Sequence, residues 1–456
     1  MNIIQAYIDT HKDRFLQELF GLIRIPSISS EKEHREDMIR AADFWKKALK
    51  EAGAEHVELI HTAGNPVVYG EKIINPALPT VLVYGHYDVM PVDPVELWET
   101  PPFRPEVRDG KIYARGADDD KGQAYIQAKA FELMVNTNTL PCNVKFMIEG
   151  EEEIGSPSLA LFCREHREML KSDLILVSDT GMGSLECPSV TVGLRGLAYM
   201  QIEVTGPDHD LHSGLFGGAV ANPANVLSRM IAGLIDDKGR ITIPGFYDDV
   251  ISVSDEERRL MARAPFNEAA YRKAIGVKAV NGEVGFTTRE RTGIRPSLDV
   301  NGIWSGYTGE GSKTVLPSKA CAKISMRLVP NQDYRRIGEL FTRHFLSIAP
   351  ETVSVKVETL HGGQAYVSPI DTAGYRAASK ALEKVFGKVP VPVRSGGSIP
   401  IIPTFEEILG VKSILMGFGL ESDACHSPNE NFPLENFFKG IETVPYFFKY
   451  FAELSA

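Results

Sequence analysis

Thr80-Val81-Leu82-Val83-Tyr84-Gly85-His86-Tyr87-Asp88 joins a short apolar run to a His-x-Asp triplet. The run reads as a buried strand ended by a glycine, so the histidine and aspartate fall just beyond its C-terminal end. The pattern recurs along the chain. Val144–Ile148 is followed by Glu151-Glu152-Glu153, Leu174–Val177 by Asp179, and Ile414–Met416 by Cys425-His426. In an open α/β sheet the loops beyond the C-terminal strand ends converge, and ligands bind there. Four clusters of ionisable side chains at such ends therefore set the fold class and the place of the site together.

Working outward, helical periodicity predicts a first helix ending before Pro26, a second over Glu36–Ala52, and others near 121–135, 157–170, 371–386 and 435–452. Strands alternating with helices predict an α/β fold: a mixed, mostly parallel sheet covered by helices on both faces. The middle of the chain reads differently. TVGLRGLAYMQIEVTG, residues 191–206, alternates like an antiparallel strand, with helices near 222–235 and 333–348 and strand-like stretches at 319–329 and 352–359. The expected division is a catalytic domain in two parts, 1–193 and 363–456, around an inserted α+β domain, 194–362. Residues 248–280 are charged and helical in pattern, without an assigned place.

The 456 residues suffice for two or three domains, and 43% hydrophobic with 24% charged residues is ordinary for a folded protein. Lys+Arg 49 against Asp+Glu 60 gives a net charge of −11, which argues against gripping phosphate backbones, so nucleic acid is not an expected partner. Five scattered cysteines without a C-x-x-C pair offer neither a zinc knuckle nor a redox motif and suit a reducing compartment. No apolar run approaches membrane-spanning length, and the first twenty residues are interrupted by charges. The expectation is a soluble cytoplasmic protein without a membrane partner.

Any one of these clusters alone reads as solvated surface charge, and Asp118-Asp119-Asp120 could simply cap the helix that follows. Two runs of three adjacent carboxylates, with histidines at other strand ends, instead fit a site where cations offset the repulsion. Histidine and carboxylate donors without thiolate suit Zn²⁺, Mn²⁺ or Co²⁺, and two ions could be held. Asp88, two residues after His86, can reach the imidazole's other nitrogen and so set its tautomer. Competing motifs fail on spacing: Gly311-Ser312-Lys313-Thr314 lacks the P-loop Gly-Lys junction, and Gly396-Gly397-Ser398-Ile399-Pro400 ends in proline where a nucleophile elbow needs glycine.

Gly85-His86-Tyr87-Asp88-Val89, Arg115–Gly122 (RGADDDKG) and Glu149–Ser156 (EGEEEIGS) resemble, in order, the signatures of the dinuclear metallopeptidases that include carnosinase, cytosolic nonspecific dipeptidase, carboxypeptidase G and aminoacylase. Asp210-Leu211-His212-Ser213-Gly214, Gly311–Val315, Ser325–Pro330, Arg394–Pro400 and His426-Ser427-Pro428-Asn429-Glu430 resemble the dipeptidase branch. The likeness runs almost end to end.

This resemblance implies that Asp119 bridges two divalent ions, His86 and Asp179 hold one, and Glu153 and His426 hold the other. Zinc is the expected ion, with manganese or cobalt as alternatives. It further implies Glu152 as general base, assisted by Asp88, and a cis peptide bond at Asp119–Asp120. Asp118 and Glu151 are extra acids beside the family pattern, which leaves open which acid of each run takes each role. Arg327, Thr314, Ser398 and Arg394 become substrate contacts together with His426. His212, supplied by the inserted domain of a partner subunit, would complete the oxyanion site and touch substrate. Without the resemblance Arg327 reads as a surface strand arginine and His212 as a loop histidine.

Water between two divalent cations loses a proton near neutral pH, and a carboxylate not bound to metal can carry that proton to the leaving amine. With that chemistry, the resemblance implies a homodimer, joined through a lid-like inserted domain, that hydrolyses dipeptides or small peptides bearing a free C-terminal carboxylate. An N-acyl-amino-acid deacylase or metallocarboxypeptidase needs the same groups. A catalytically silent binding protein of the same fold is the reading from outside the hydrolases.

Overall fold

In the computed structural model, which describes residues 3–264, 266–396 and 399–455, Thr80–His86 is a strand whose side chains alternate between two apolar layers. Val81 and Val83 join one layer, Leu82 and Tyr84 the other. A strand buried on both faces needs an apolar residue at every position, which is why the run is continuous rather than alternating.

The strand lies within a nine-stranded sheet in the order His56–Ile60, Val67–Lys72, Asn143–Glu149, Thr80–His86, Leu174–Val177, Ser413–Leu415, Ser189–Leu194, Tyr366–Val367, with Val391–Ser395 also paired to Ser189–Leu194. Asn143–Glu149, Thr80–His86, Leu174–Val177 and Ser413–Leu415 run parallel side by side. Antiparallel pairs flank them on both sides, making the sheet mixed. The parallel block brings Glu149, His86, Val177 and Leu415 to one edge, so the loops after them share that edge.

Helices Ile3–Ile23, Lys121–Asn136, Ala373–Phe386 and Leu434–Ser455 cover one face; Leu159–Glu165 and Ile401–Leu409 cover the other. The helix expected over 157–170 is only seven residues long. Beyond it the Met169 and Lys171 carbonyls accept from Lys145 Nζ at 2.6 and 2.8 Å, so this stretch is tied to a strand side chain instead of continuing the ladder. The stretch 191–206 is also two elements. Ser189–Leu194 belongs to the large sheet and Gly196–Thr205 to a second one, with Arg195 between them.

The second sheet has four antiparallel strands in the order Ser297–Ser305, Lys319–Leu328, Gly196–Thr205, Ser354–Gly363. Ala198, Met200, Ile202 and Val204 point from alternate positions into a core shared with helices Pro223–Ala232 and Tyr334–Ser347. The stretch without an assigned place contains helices Asp255–Met261 and Glu268–Ala274, and residues around them border the cavity described below.

Candidate metal centre

His86 ends its strand fully buried. Its Nδ1 lies 3.1 Å from the Asp88 carbonyl oxygen and 3.3 Å from Asp88 Oδ1, so that nitrogen donates toward Asp88 and Nε2 is the ring atom turned to the site. Nε2 is buried without a hydrogen bond, 3.2 Å from Asp119 Oδ1 and 3.8 Å from Asp179 Oδ2. A buried imidazole nitrogen with no hydrogen bond of its own, facing two carboxylate oxygens, belongs to a donor set that a cation could occupy.

The other oxygen of Asp119 faces elsewhere. Asp119 Oδ2 is 2.9 Å from His426 Nε2, which is 3.2 Å from Glu153 Oε2. Within each of the groups His86, Asp119, Asp179 and Asp119, Glu153, His426, the ligand atoms lie within 4.8 Å of one another. Asp119 is common to both. The peptide bond from Asp119 to Asp120 is cis. Asp120 turns back into the fold, where its Oδ2 accepts from the His86 N–H at 3.2 Å.

Glu152 belongs to neither group but stands beside them, its Oε2 4.0 Å from His86 Nε2. Burial lifts its carboxyl to about 8, His86 opposing and the neighbouring Asp119 and Glu153 adding to the rise. Asp179 is pushed well above the usual carboxylate range by burial and then by Asp120. His426 is raised to about 10 by its bonds to Asp119 and Glu153. In a site this rich in carboxylates, protons hold the places that positive charge must fill, which fits a cation-binding pocket.

The two extra acids separate cleanly from these groups. Asp118 accepts from the Cys425 thiol at 3.1 Å, while Glu151 accepts from the N–H groups of Asn65 and Ser158, each at 3.3 Å. The Asp88 carboxylate is likewise engaged, accepting from Ser29 Oγ at 2.7 Å and from the N–H groups of Glu152 at 3.2 Å and Glu153 at 3.0 Å. It holds the turn that carries the base and a ligand. Glu153 Oε1 accepts from the Met90 N–H at 3.1 Å, which leaves Oε2 toward His426.

A cavity of about 670 Å³ opens from Asp119 and Asp179, lined further by Met182, Arg394, Leu420 and by Arg258, Met261 and Phe266 of the middle segment. Arg394 therefore shares the cavity with metal-facing residues. Arg327 is half-buried on the second sheet, opposite Leu197, and does not line the cavity. His212 and Thr314 meet elsewhere: Leu211–His212 pairs with Val315–Leu316, and the Ser213 N–H donates to the Thr314 carbonyl at 3.1 Å. No ion pair or hydrogen bond links His212 to the metal-facing groups among the described residues. Ser398 lies outside the described residues.

Two features of the site carry no role in the sequence reading. One is the middle segment that walls the cavity, because its charged helical pattern resembles any surface helix. The other is Glu430, buried and bonded to Arg115 Nη1 at 2.7 Å; the signal available for it was its place at the end of the His426 motif.

Histidines and carboxylates gathered at the C-terminal edge of a parallel block, around one shared aspartate, define a metal-dependent hydrolase. The profile of peptidase family M20/M25/M40 matches residues 82–449, and the chain belongs to that family. It is 34% identical to a Cys-Gly metallodipeptidase of Candida albicans, covering 98% of this chain and 96% of the relative. It is 33% identical to the human Beta-Ala-His dipeptidase, over 98% and 92% of the two chains. Among solved structures, a family metallo-carboxypeptidase from Sulfolobus solfataricus superposes with a TM-score of 0.86 at 32% identity, covering 96% of this chain and 99% of that one.

Proposed function

We propose that this chain is a dipeptidase that cleaves the amide bond of dipeptides or small peptides with a free C-terminal carboxylate. The observation that carries the reading is the split of Asp119, whose two oxygens face two different His-carboxylate pairs while Glu152 stands beside both and belongs to neither. His86 and Asp179 would hold one divalent ion, Glu153 and His426 the other, with zinc first among Zn²⁺, Mn²⁺ and Co²⁺. The ions supply Lewis acidity to the scissile carbonyl and to the attacking water.

Glu152 takes the proton from that water and delivers it to the leaving amine. Asp88 keeps Glu152 in reach by binding the backbone of its turn. His212 of the partner subunit supplies the oxyanion donor. In support, the His212 Nδ1 accepts from the Gly214 N–H at 3.0 Å, which leaves Nε2 of this exposed residue as the ring donor. Arg327, Thr314, Ser398 and Arg394 bind the substrate, with Arg327 as the carboxylate anchor.

The proposed division of the chain is 1–193 and 363–456 for catalysis, with 194–362 joining two copies as a homodimer. The described residues include no helix long and apolar enough to cross a membrane, in keeping with the cytoplasmic placement proposed here. The likeness to a metallo-carboxypeptidase favours a second reading, in which longer peptides lose their C-terminal residue. A panel of dipeptides, their C-terminal amides, tetrapeptides and N-acyl amino acids separates the two. The dipeptidase reading expects dipeptides to be cleaved fastest and amidation to cost about 10- to 150-fold, the worth of a charge-assisted hydrogen bond. Preference for tetrapeptides or acyl amino acids would overturn it.

A further inference from the structure

Glu430 lies four residues beyond His426, and its side chain is fully buried beside that of Arg115. Its Oε2 accepts from Arg115 Nη1 at 2.7 Å and from the Gly116 N–H at 3.1 Å. Its Oε1 accepts from the N–H groups of Asp118 at 3.0 Å and Asp119 at 3.2 Å. The Glu430 carbonyl accepts from the Ala114 N–H at 3.1 Å, so backbone and side chain hold the same loop. Gly116, at φ +81°, turns the chain so that these N–H groups face inward together, an anion-binding concavity made from backbone.

A buried ion pair is by itself poor evidence of stabilisation, because desolvating both charges offsets their attraction. Three backbone donors converging on the carboxylate ask for a different account. One of them belongs to the residue shared by both ligand groups, and the carboxylate itself hangs from the segment that carries His426. Groups that bind the loops of metal ligands commonly govern affinity as strongly as some ligands do.

We propose that Glu430 is a positioning residue of the metal centre: by gathering residues 116–119 around its carboxylate, it fixes the separation of Asp119 from His426. The inference rests on the two-ion reading above. The test uses the full chain stripped of metal and titrated with Co²⁺, read by its absorption spectrum and by competition with a chromophoric chelator. Glu430→Gln keeps the size but loses the charge that draws in the N–H groups, and should lower Co²⁺ affinity about 10- to 100-fold and alter the spectrum. Arg115→Lys keeps the carboxylate and its backbone donors, so it should lose thermal stability while holding affinity within a few-fold of wild type. If Glu430→Gln does not fold, Glu430→Asp, which withdraws the carboxylate by one methylene, should show the same loss. A folded Glu430 variant with wild-type affinity and spectrum would overturn the inference. Failure of the wild type to take up Co²⁺ would instead overturn the two-ion reading on which it stands.

Discussion

At the scale of single residues, hydrolysis would need one carboxylate, Asp119, shared between two ions and another, Glu152, left unbound. Glu152→Gln removes a proton acceptor without removing a ligand, so the variant should keep its metal and lose about 10²- to 10⁴-fold in turnover. Metal analysis beside a dipeptide assay checks this, and loss of metal would move Glu152 among the ligands. The ambiguity left by the acidic runs could not be resolved from residue types, because Asp118, Asp119 and Asp120 are chemically identical. What separates them is direction: Asp118 turns to Cys425, Asp119 to both histidines, and Asp120 to the His86 backbone. The same holds for Glu151, which satisfies backbone donors at Asn65 and Ser158.

At the scale of elements, the parallel block was legible because buried strands need apolar residues at every position and strand ends then order the chemistry. Less legible was the boundary at Arg195, where one alternating stretch serves two sheets, since periodicity does not reveal a change of partner. Nor could the charge network between helices Ile3–Ile23 and Lys121–Asn136 be read from helical pattern. There Glu132 bonds with Arg14 and accepts from Lys129 Nζ at 2.7 Å, and Lys129 also reaches Glu18 at 2.6 Å. Burial raises the Glu132 carboxyl, but Arg14 and Lys129 outweigh it and hold the group below the usual 4.5. Folded Glu132 binds protons less readily than unfolded Glu132, so this contribution is present at neutral pH and is lost as pH falls from about 4.5 through the lower folded value. Urea titrations of wild type and Glu132→Gln should differ by about 1.5–3 kcal/mol at pH 7, with the gap closing below pH 4.5. A gap that persists unchanged at pH 3 would mean that packing, not charge, accounts for the effect.

At the scale of the whole molecule, His212 is exposed on a two-stranded ribbon, where its strand pairs with Val315–Leu316, and its ring accepts from the neighbouring Gly214 N–H. Sequence pattern alone ranks such a histidine as surface. The resemblance assigns it to a neighbour's active site, which subunit mixing tests directly. A His212→Ala chain keeps a metal site but supplies no donor; a Glu152→Gln chain supplies the donor but lacks the base. Each homodimer should be nearly inactive. At equal, random mixing about half the dimers are hybrid and each regains one site of two, so about a quarter of wild-type activity should return. An inactive mixture with demonstrated exchange would place His212 in its own chain's chemistry or outside catalysis.

Asp119 is proposed to join two ions into one hydrolytic centre. The most direct test is the metal content of the dialysed protein, measured together with dipeptide turnover for wild type and Asp119→Ala. Two equivalents of divalent metal per wild-type chain are expected, with activity lost to a chelator and restored by Zn²⁺, Mn²⁺ or Co²⁺, and depletion at both positions in Asp119→Ala. Two full equivalents in Asp119→Ala, or undiminished hydrolysis by metal-free wild type, would contradict it.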